Sequence, residues 1–415
     1  MAIVRPFCAI RPKKEIAEKL SCLPYDVMNR SEAKEMAEGN EYSYLHVVRS
    51  EIDFDDSQNP YDEIIYKKAR ENLDSFIENG ILAKDEKPMF YIYRQIMNGR
   101  VQTGIVAITS VDEYVNGNIK RHEFTRPDKE VDRINNFYYC DANTEPIFLT
   151  YRNNVKINKL INDFIKFHNP TYNFTSEDGI THIFWPIDDD KINDELHVLF
   201  NGVDYLYIAD GHHRTASSAK VSLKKREENK DYKGDEEFNF FMSVIFPDED
   251  IFIMDYNRVV KDLNGLTSEE FLNKVKEKFD VNELNLNEPY KPTEKHTFGM
   301  YLDDKWYSLS AKPDSFDEND VIGRLDVSIL QNNLLNPILG IKDPRTDKRI
   351  DFVGGIRGIK GLEDRCHKDM KVAFSMYPTT IDDLLSIADA NEIMPPKSTW
   401  FEPKLRSGLF IHRLS

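Results

Sequence analysis

Hydrophobic positions change period repeatedly over the first 260 residues. MAIVRPFCAIRP (1–12) is apolar over a strand's length, and KKEIAEKLSCL (13–23) spaces its apolar residues as a helix does. PYDV (24–27) reads as an extended exit fixed by Pro24. SEAKEMAEGN (31–40) predicts a helix opened by an imperfect capping box at Ser31 and stopped by Gly39. YDEIIYKKARENLDSFIENG (61–80) predicts a longer amphipathic helix closed by Gly80. PMFYIYRQIM (88–97) and VQTGIVAITS (101–110) read as strands joined over Asn98-Gly99, a strong hairpin signal.

RHEFTRPDKEVDR (121–133) reads as a strand end passing into a helix, with Pro127 in its first turn. Strands EPIFLTYR (145–152) and THIFWPI (181–187) flank a helix, VKINKLINDFIKFH (155–168). YLYIAD (205–210), FNFFMSVIFP (238–247) and IFIMDYNRVV (251–260) complete the strand-like runs of this region. Beyond Leu266 the texture changes to a surface helix, TSEEFLNKVKEKFD (267–280), and a hairpin turning at Asp303-Asp304. From Val327 the chain becomes rich in Gly and Pro. These patterns predict a mixed α/β (α+β) fold and exclude all-α and all-β classes. They divide the chain into a core at 1–260, a small α+β module at 261–326, and a segment at 327–415 that gains order by folding back on the core.

Composition narrows the functional classes. With 415 residues, 40% hydrophobic and 31% charged, the chain has the make-up of a soluble enzyme. A net charge of −17 argues against nucleic acid as a partner, since phosphate contacts need a concentrated basic face. Arg5 interrupts the first apolar run, so no signal peptide is expected, and no window reaches the roughly 18 apolar residues of a membrane span. Cys8, Cys22, Cys140 and Cys366 form no C-x-x-C pair. A cytoplasmic protein with reduced thiols, no membrane partner and a possible homodimer is the expectation.

Candidate chemistry concentrates where the strand YLYIAD meets the helix HHRTASSAKVSLKK. Gly211 permits a sharp turn, and a helix N-terminus offers free N–H groups and a positive dipole end to phosphate. Arg214 adds a fork suited to phosphate, and Thr215 a hydroxyl. Asp210 is placed to hold Mg²⁺ or to take a proton. Zinc is a rival, but His212 and His213 point roughly 100° apart on a helix and chelate one ion poorly. The chain lacks both a G-x-S-x-G nucleophile elbow and a Walker A loop.

The order strand–IADGHHR–helix resembles the phosphate-binding motif of the ParB/sulfiredoxin superfamily. It is most similar to the free L-serine kinases, which carry D-G-H-H-R. The whole chain resembles a widespread bacterial and archaeal family, through PFCAIRP, LPYDV, HEFTRPDKEVDR, YIADGHHR, DFVGGIRG and MPPKSTWFEPKLRSGLF. Sulfiredoxins place a catalytic cysteine where this chain has His212, and ParB proteins carry G-E-R-R beside a DNA-reading helix-turn-helix. Neither activity is therefore implied. The resemblance implies a ParB/sulfiredoxin-like core with large insertions, phosphoryl transfer from ATP or ADP with Mg²⁺, and a small hydroxyl acceptor such as free serine. It places phosphate on Gly211–Arg214, with His212 or His213 at the phosphoryl oxygens. A general base after the first strand would be Glu15 or Glu18, with Tyr25 and Asp26 a third candidate.

Three further clusters join the list. His122, Glu123 and Arg126 are candidates for the pocket rim. Gly354 and Gly355, followed by Arg357, are candidates for an anion nest, or for a plain turn. Lys397, Ser398, Thr399, Lys404 and Arg406 concentrate basic and hydroxyl groups in one stretch of an acidic chain, and the stretch is expected to fold back to the same pocket. Besides a small-molecule kinase, the pattern admits a non-catalytic nucleotide-binding regulator and a metal-dependent hydrolase.

Overall fold

The computed structural model describes residues 2–285 and 288–415. The fold is mixed α/β and divides into two compact units, one reaching to Ile251 and taking in Pro403–Ser415, the other Phe252–Glu402.

The first unit is built on a nine-stranded mixed sheet. Its order is Ile119–Lys120, Leu206–Asp210, Ile147–Tyr151, Phe240–Pro247, Arg100–Ser110, Tyr91–Met97, Thr181–Pro186 and Tyr172–Thr175, with Val4–Arg5 also pairing with Arg100–Ser110. Leu206–Asp210 runs parallel to Ile119–Lys120 and antiparallel to Ile147–Tyr151. The Asn98-Gly99 hairpin forms as its residues dictate, with Met97 opposite Arg100 and positive φ of 52° and 79° at the two turn residues. Leu149, Leu206, Ile208, Phe241 and Ile245 fill the core beneath.

Helix His212–Glu228 buries Ala216, Ser217, Ser218, Ala219 and Ser222. These small side chains let it pack against helix Pro127–Cys140 and the sheet, and so fix where the strand–helix turn sits. Among the described residues no helix is long and apolar enough to cross a membrane.

The second unit carries a six-stranded sheet in the order Phe279–Leu284, Lys305–Ala311, Thr297–Leu302, Val372–Met376, Tyr256–Val260 and Ile350–Gly354. All neighbours are antiparallel. The hairpin at Asp303-Asp304 forms, with both residues at positive φ.

Local features differ from the sequence reading in instructive ways. The divisions expected at 260 and 326 do not separate the units, because strands from 256–260, 279–311 and 350–376 share one sheet. The Gly/Pro-rich texture after Val327 marks turns inside that sheet unit, and only the last residues return to the first unit, where Ile411 bridges Ile10 and Ser407 bridges Cys22. The N-terminal apolar run splits in two, since Val4–Arg5 and Ile10–Pro12 pair with different strands. The capping box sits two residues before Ser31. Asn29 accepts from the Glu32 N–H, and Glu32 accepts from the Asn29 N–H.

Candidate functional site

Strand Leu206–Asp210 ends against Gly211, whose φ of 96° lies in the left-handed region. A Cβ there would come 3.1 Å from Arg214 Nε, so backbone conformation and crowding both call for glycine. The Gly211 N–H donates to Asp210 Oδ1 at 2.9 Å, and the Thr215 N–H closes the first helical turn on the Gly211 carbonyl at 2.9 Å. The N–H groups of His212, His213 and Arg214 are first-turn donors, which helix geometry cannot satisfy internally. Lys404, arriving from the last stretch of the chain, places Nζ 3.2 Å from Asp210 Oδ2. Burial pushes the Asp210 carboxyl up, but Lys404 and Arg214 more than reverse this and hold it well below the usual carboxylate range.

Behind the turn lies a buried ionic network. Arg214, 2% exposed, donates to the Pro146 carbonyl at 2.5 Å and faces Asp210 at 3.7 Å. Burial works against its charge, while Asp26, Asp210 and Glu145 favour it and keep the guanidinium ionised. Glu145, 1% exposed, accepts from the Tyr25 N–H at 2.9 Å, Arg133 at 3.0 Å and the Ser407 hydroxyl at 3.2 Å. The Arg133 guanidinium lies 3.9 Å above the Tyr25 ring. PYDV, the head of EPIFLTYR, the IADGHHR turn and KLRSG thus meet at one point of the fold.

A third layer comes from the loop before helix Pro127–Cys140. The His122 N–H approaches His212 Nε2 at 3.4 Å, and the Arg126 N–H approaches His213 Nδ1 at 3.3 Å. The His122 and His212 rings meet edge to face at 4.5 Å. Burial pushes His122 down to about 4 and His212 well below the ordinary imidazole range, so both are neutral near pH 7. Glu123 Oε2 stands 3.9 Å from His212 Nδ1 with its side chain 48% exposed.

The family described as "Protein of unknown function (DUF1015)" matches residues 4–328. The chain belongs to this family. No curated protein matches it. Solved structures similar to this DUF1015 protein include a free serine kinase in complex with AMP, at 14% identity and TM-score 0.35, covering 72% of this chain and 86% of that one. Another is SbnI with a C-terminal truncation from Staphylococcus aureus, at 11% identity and TM-score 0.39, covering 74% and 87%. A third is a conserved hypothetical protein from Pyrococcus furiosus, at 15% identity and TM-score 0.33, covering 72% and 90%.

Several sequence candidates have other work in the structure. Arg214 turns inward and offers no fork to solvent, so it braces the turn. Thr215 is fully buried, and its hydroxyl donates to the Gly211 carbonyl at 3.0 Å. Arg406 is clasped to Asp178 at 2.5 Å and Ser176 at 2.9 Å, which accounts for its charge. Lys397, Ser398, Thr399 and Arg357 belong to the second unit. There the bare Gly354 makes room for the Trp400 indole, which a Cβ at that position would meet at 2.9 Å, and Gly355 lies against the Asp255 carboxylate. Neither has positive φ, and a carboxylate at the turn opposes an anion nest.

Glu15 and Glu18 are exposed just after strand Ile10–Pro12. Glu15 acts on the Tyr172 hydroxyl, in a strand at the opposite end of the sheet order from Leu206–Asp210. Asp26, the third choice of carboxylate, is the one within electrostatic reach of Arg214. Glu145 is a residue that sequence reasoning misses. Its only signal is a glutamate at the head of an apolar strand, a place where buried charge is rare unless paired.

Proposed function

We propose that the protein is a nucleotide-dependent phosphotransferase that phosphorylates a small hydroxyl compound, with free L-serine as the first acceptor to test. The observation that carries this reading is the arrival of Lys404 at Asp210, beside the N-terminal turn of helix His212–Glu228. First-turn N–H groups, the positive helix end, an ammonium and His213 together suit the terminal phosphate of ATP or ADP. The identity of the acceptor rests on the D-G-H-H-R resemblance alone. A substrate drawn from the nucleotide pool places the protein in the cytoplasm.

Catalysis at such a site is positioning and charge stabilisation. Lys404 and the N–H groups hold phosphoryl oxygens, and His213 donates to them from the helix end. Asp210, with its depressed carboxyl, is a poor proton acceptor near pH 7 and instead orients Lys404. We assign the acceptor's hydroxyl proton to Asp26, which is exposed and within electrostatic reach of Arg214. Magnesium fits Asp210 poorly, because two cations already cover that carboxylate.

The test is a panel of free amino acids and small alcohols incubated with ATP or ADP, read by mass spectrometry for phosphorylated product. Product from one acceptor, reduced about 100-fold in Lys404→Met while the variant remains folded, is the expected result. Nucleotide binding with no product across the panel would favour the regulatory reading instead.

A further inference from the structure

The loop after strand Ile119–Lys120 and the first residue of helix His212–Glu228 assemble donor groups that phosphate binding does not use. One ligand atom each from His122, Glu123 and His212 lie within 4.8 Å of one another. The three come from segments 90 positions apart, so their meeting is a product of the fold. His122 and His212 are 2% and 6% exposed, whereas the Glu123 side chain is 48% exposed. Two donors are therefore preset in the wall, and the third approaches from the solvent side.

We propose that His122, Glu123 and His212 bind a divalent transition metal of the zinc class beside the phosphate turn. Two imidazoles and one carboxylate suit Zn²⁺, Co²⁺, Mn²⁺ or Fe²⁺, whereas Mg²⁺ and Ca²⁺ take all-oxygen sets. The Ile208 carbonyl lies against the His122 ring and favours one protonated nitrogen. An imidazole that donates through one nitrogen presents a lone pair on the other, the usual outer support of a ligating histidine. The contact between the His122 N–H and His212 Nε2, at 3.4 Å, is long for a hydrogen bond, so coordination displaces little. Bonds of about 2.0–2.2 Å require the donors to draw inward, a movement the exposed Glu123 can supply. The argument that His212 and His213 diverge does not oppose this site, because the partner of His212 is His122.

The metal's position relative to phosphate rests on the proposed function, but metal binding itself does not. The experiment uses the full chain, stripped with chelator and titrated with Co²⁺ while visible d–d absorption is followed. One equivalent of Co²⁺, displaced by Zn²⁺, is expected, with affinity at least about tenfold weaker in Glu123→Gln and lost in His122→Ala. Glu123→Gln changes an exposed side chain, so the test survives if His122→Ala misfolds. Absence of a Co²⁺ signal, or a signal indifferent to Glu123→Gln, overturns the site. ADP titration in the presence of chelator separately reports on the phosphate turn, so the two ideas fail independently.

Discussion

Each unit has a glycine turn with an arginine just beyond it, and the glycines of the two turns serve different ends. At Asp210-Gly211 the glycine is required by its dihedral angle, and the turn launches a 17-residue helix beside which Lys404 meets Asp210. At Gly354-Gly355 the φ angles are ordinary, and the missing side chains admit the Trp400 indole and the Asp255 carboxylate. Asp255 in turn pairs with Lys291 at 2.7 Å. In the reading proposed above the first turn offers its N–H groups to an anion, whereas the second is filled by its neighbours. The same residue pattern therefore accompanies a required left-handed glycine in one unit and a packing joint in the other.

The largest effect that separates the units is their response to pH. In the first unit His122 has a folded value of about 4, below the roughly 6.5 of an unfolded histidine. The unfolded chain binds the extra proton, so stability is complete above about pH 6.5 and is lost as pH falls toward 4, by about 3 kcal/mol for this group. His212 and Asp210 act in the same direction, because their folded values are also depressed. In the second unit burial raises Asp326 to about 7, with its Oδ1 held by the His296 N–H. There the folded form keeps its proton longer, so stability present below about pH 4 is lost as pH rises toward 7. Denaturation at pH 4.5 and 7, followed by hydrogen exchange in each unit, should show opposite trends. His122→Asn should weaken the trend of the first unit, to which His212 and His182 also contribute, and leave the second unit's unchanged. Parallel trends in both units would contradict the contrast.

A smaller effect comes from adding one methyl group to each turn. Gly354→Ala should destabilise the second unit by about 1–3 kcal/mol through overpacking on Trp400, with nucleotide affinity unchanged. Gly211→Ala should cost a similar amount, through positive φ and its contact with Arg214, and should also weaken nucleotide binding. Melting curves and ADP titrations on the two variants check both halves. Equal loss of ADP affinity in both would erase the distinction between the turns.

What is legible in the sequence is local. Asn98-Gly99 and Asp303-Asp304 announce hairpins because positive φ at those positions is a property of the residues themselves. Strand–Gly211–helix is legible for the same reason. The capping box falls two residues from its expected place because Asn29 and Glu32 satisfy it as well as the residues from Ser31 onward, and only the packed helix chooses. Long-range pairings leave no local trace. Lys404 meets Asp210 across 194 positions, and Arg406, equal to Lys404 in the sequence, spends its charge on Asp178. Arg214 reads as a phosphate fork because its chemistry fits one. The structure turns it inward, where Asp26, Asp210 and Glu145 all favour its charge and a buried guanidinium answers them.

The most direct measurement is an experimental structure of the protein soaked with ADP. The account predicts the terminal phosphate within about 3 Å of the His212–Arg214 N–H groups and Lys404 Nζ, with the Asp210–Lys404 pair opened or shared. Phosphate bound elsewhere, with the Asp210–Lys404 contact intact and the helix end bare, would contradict it.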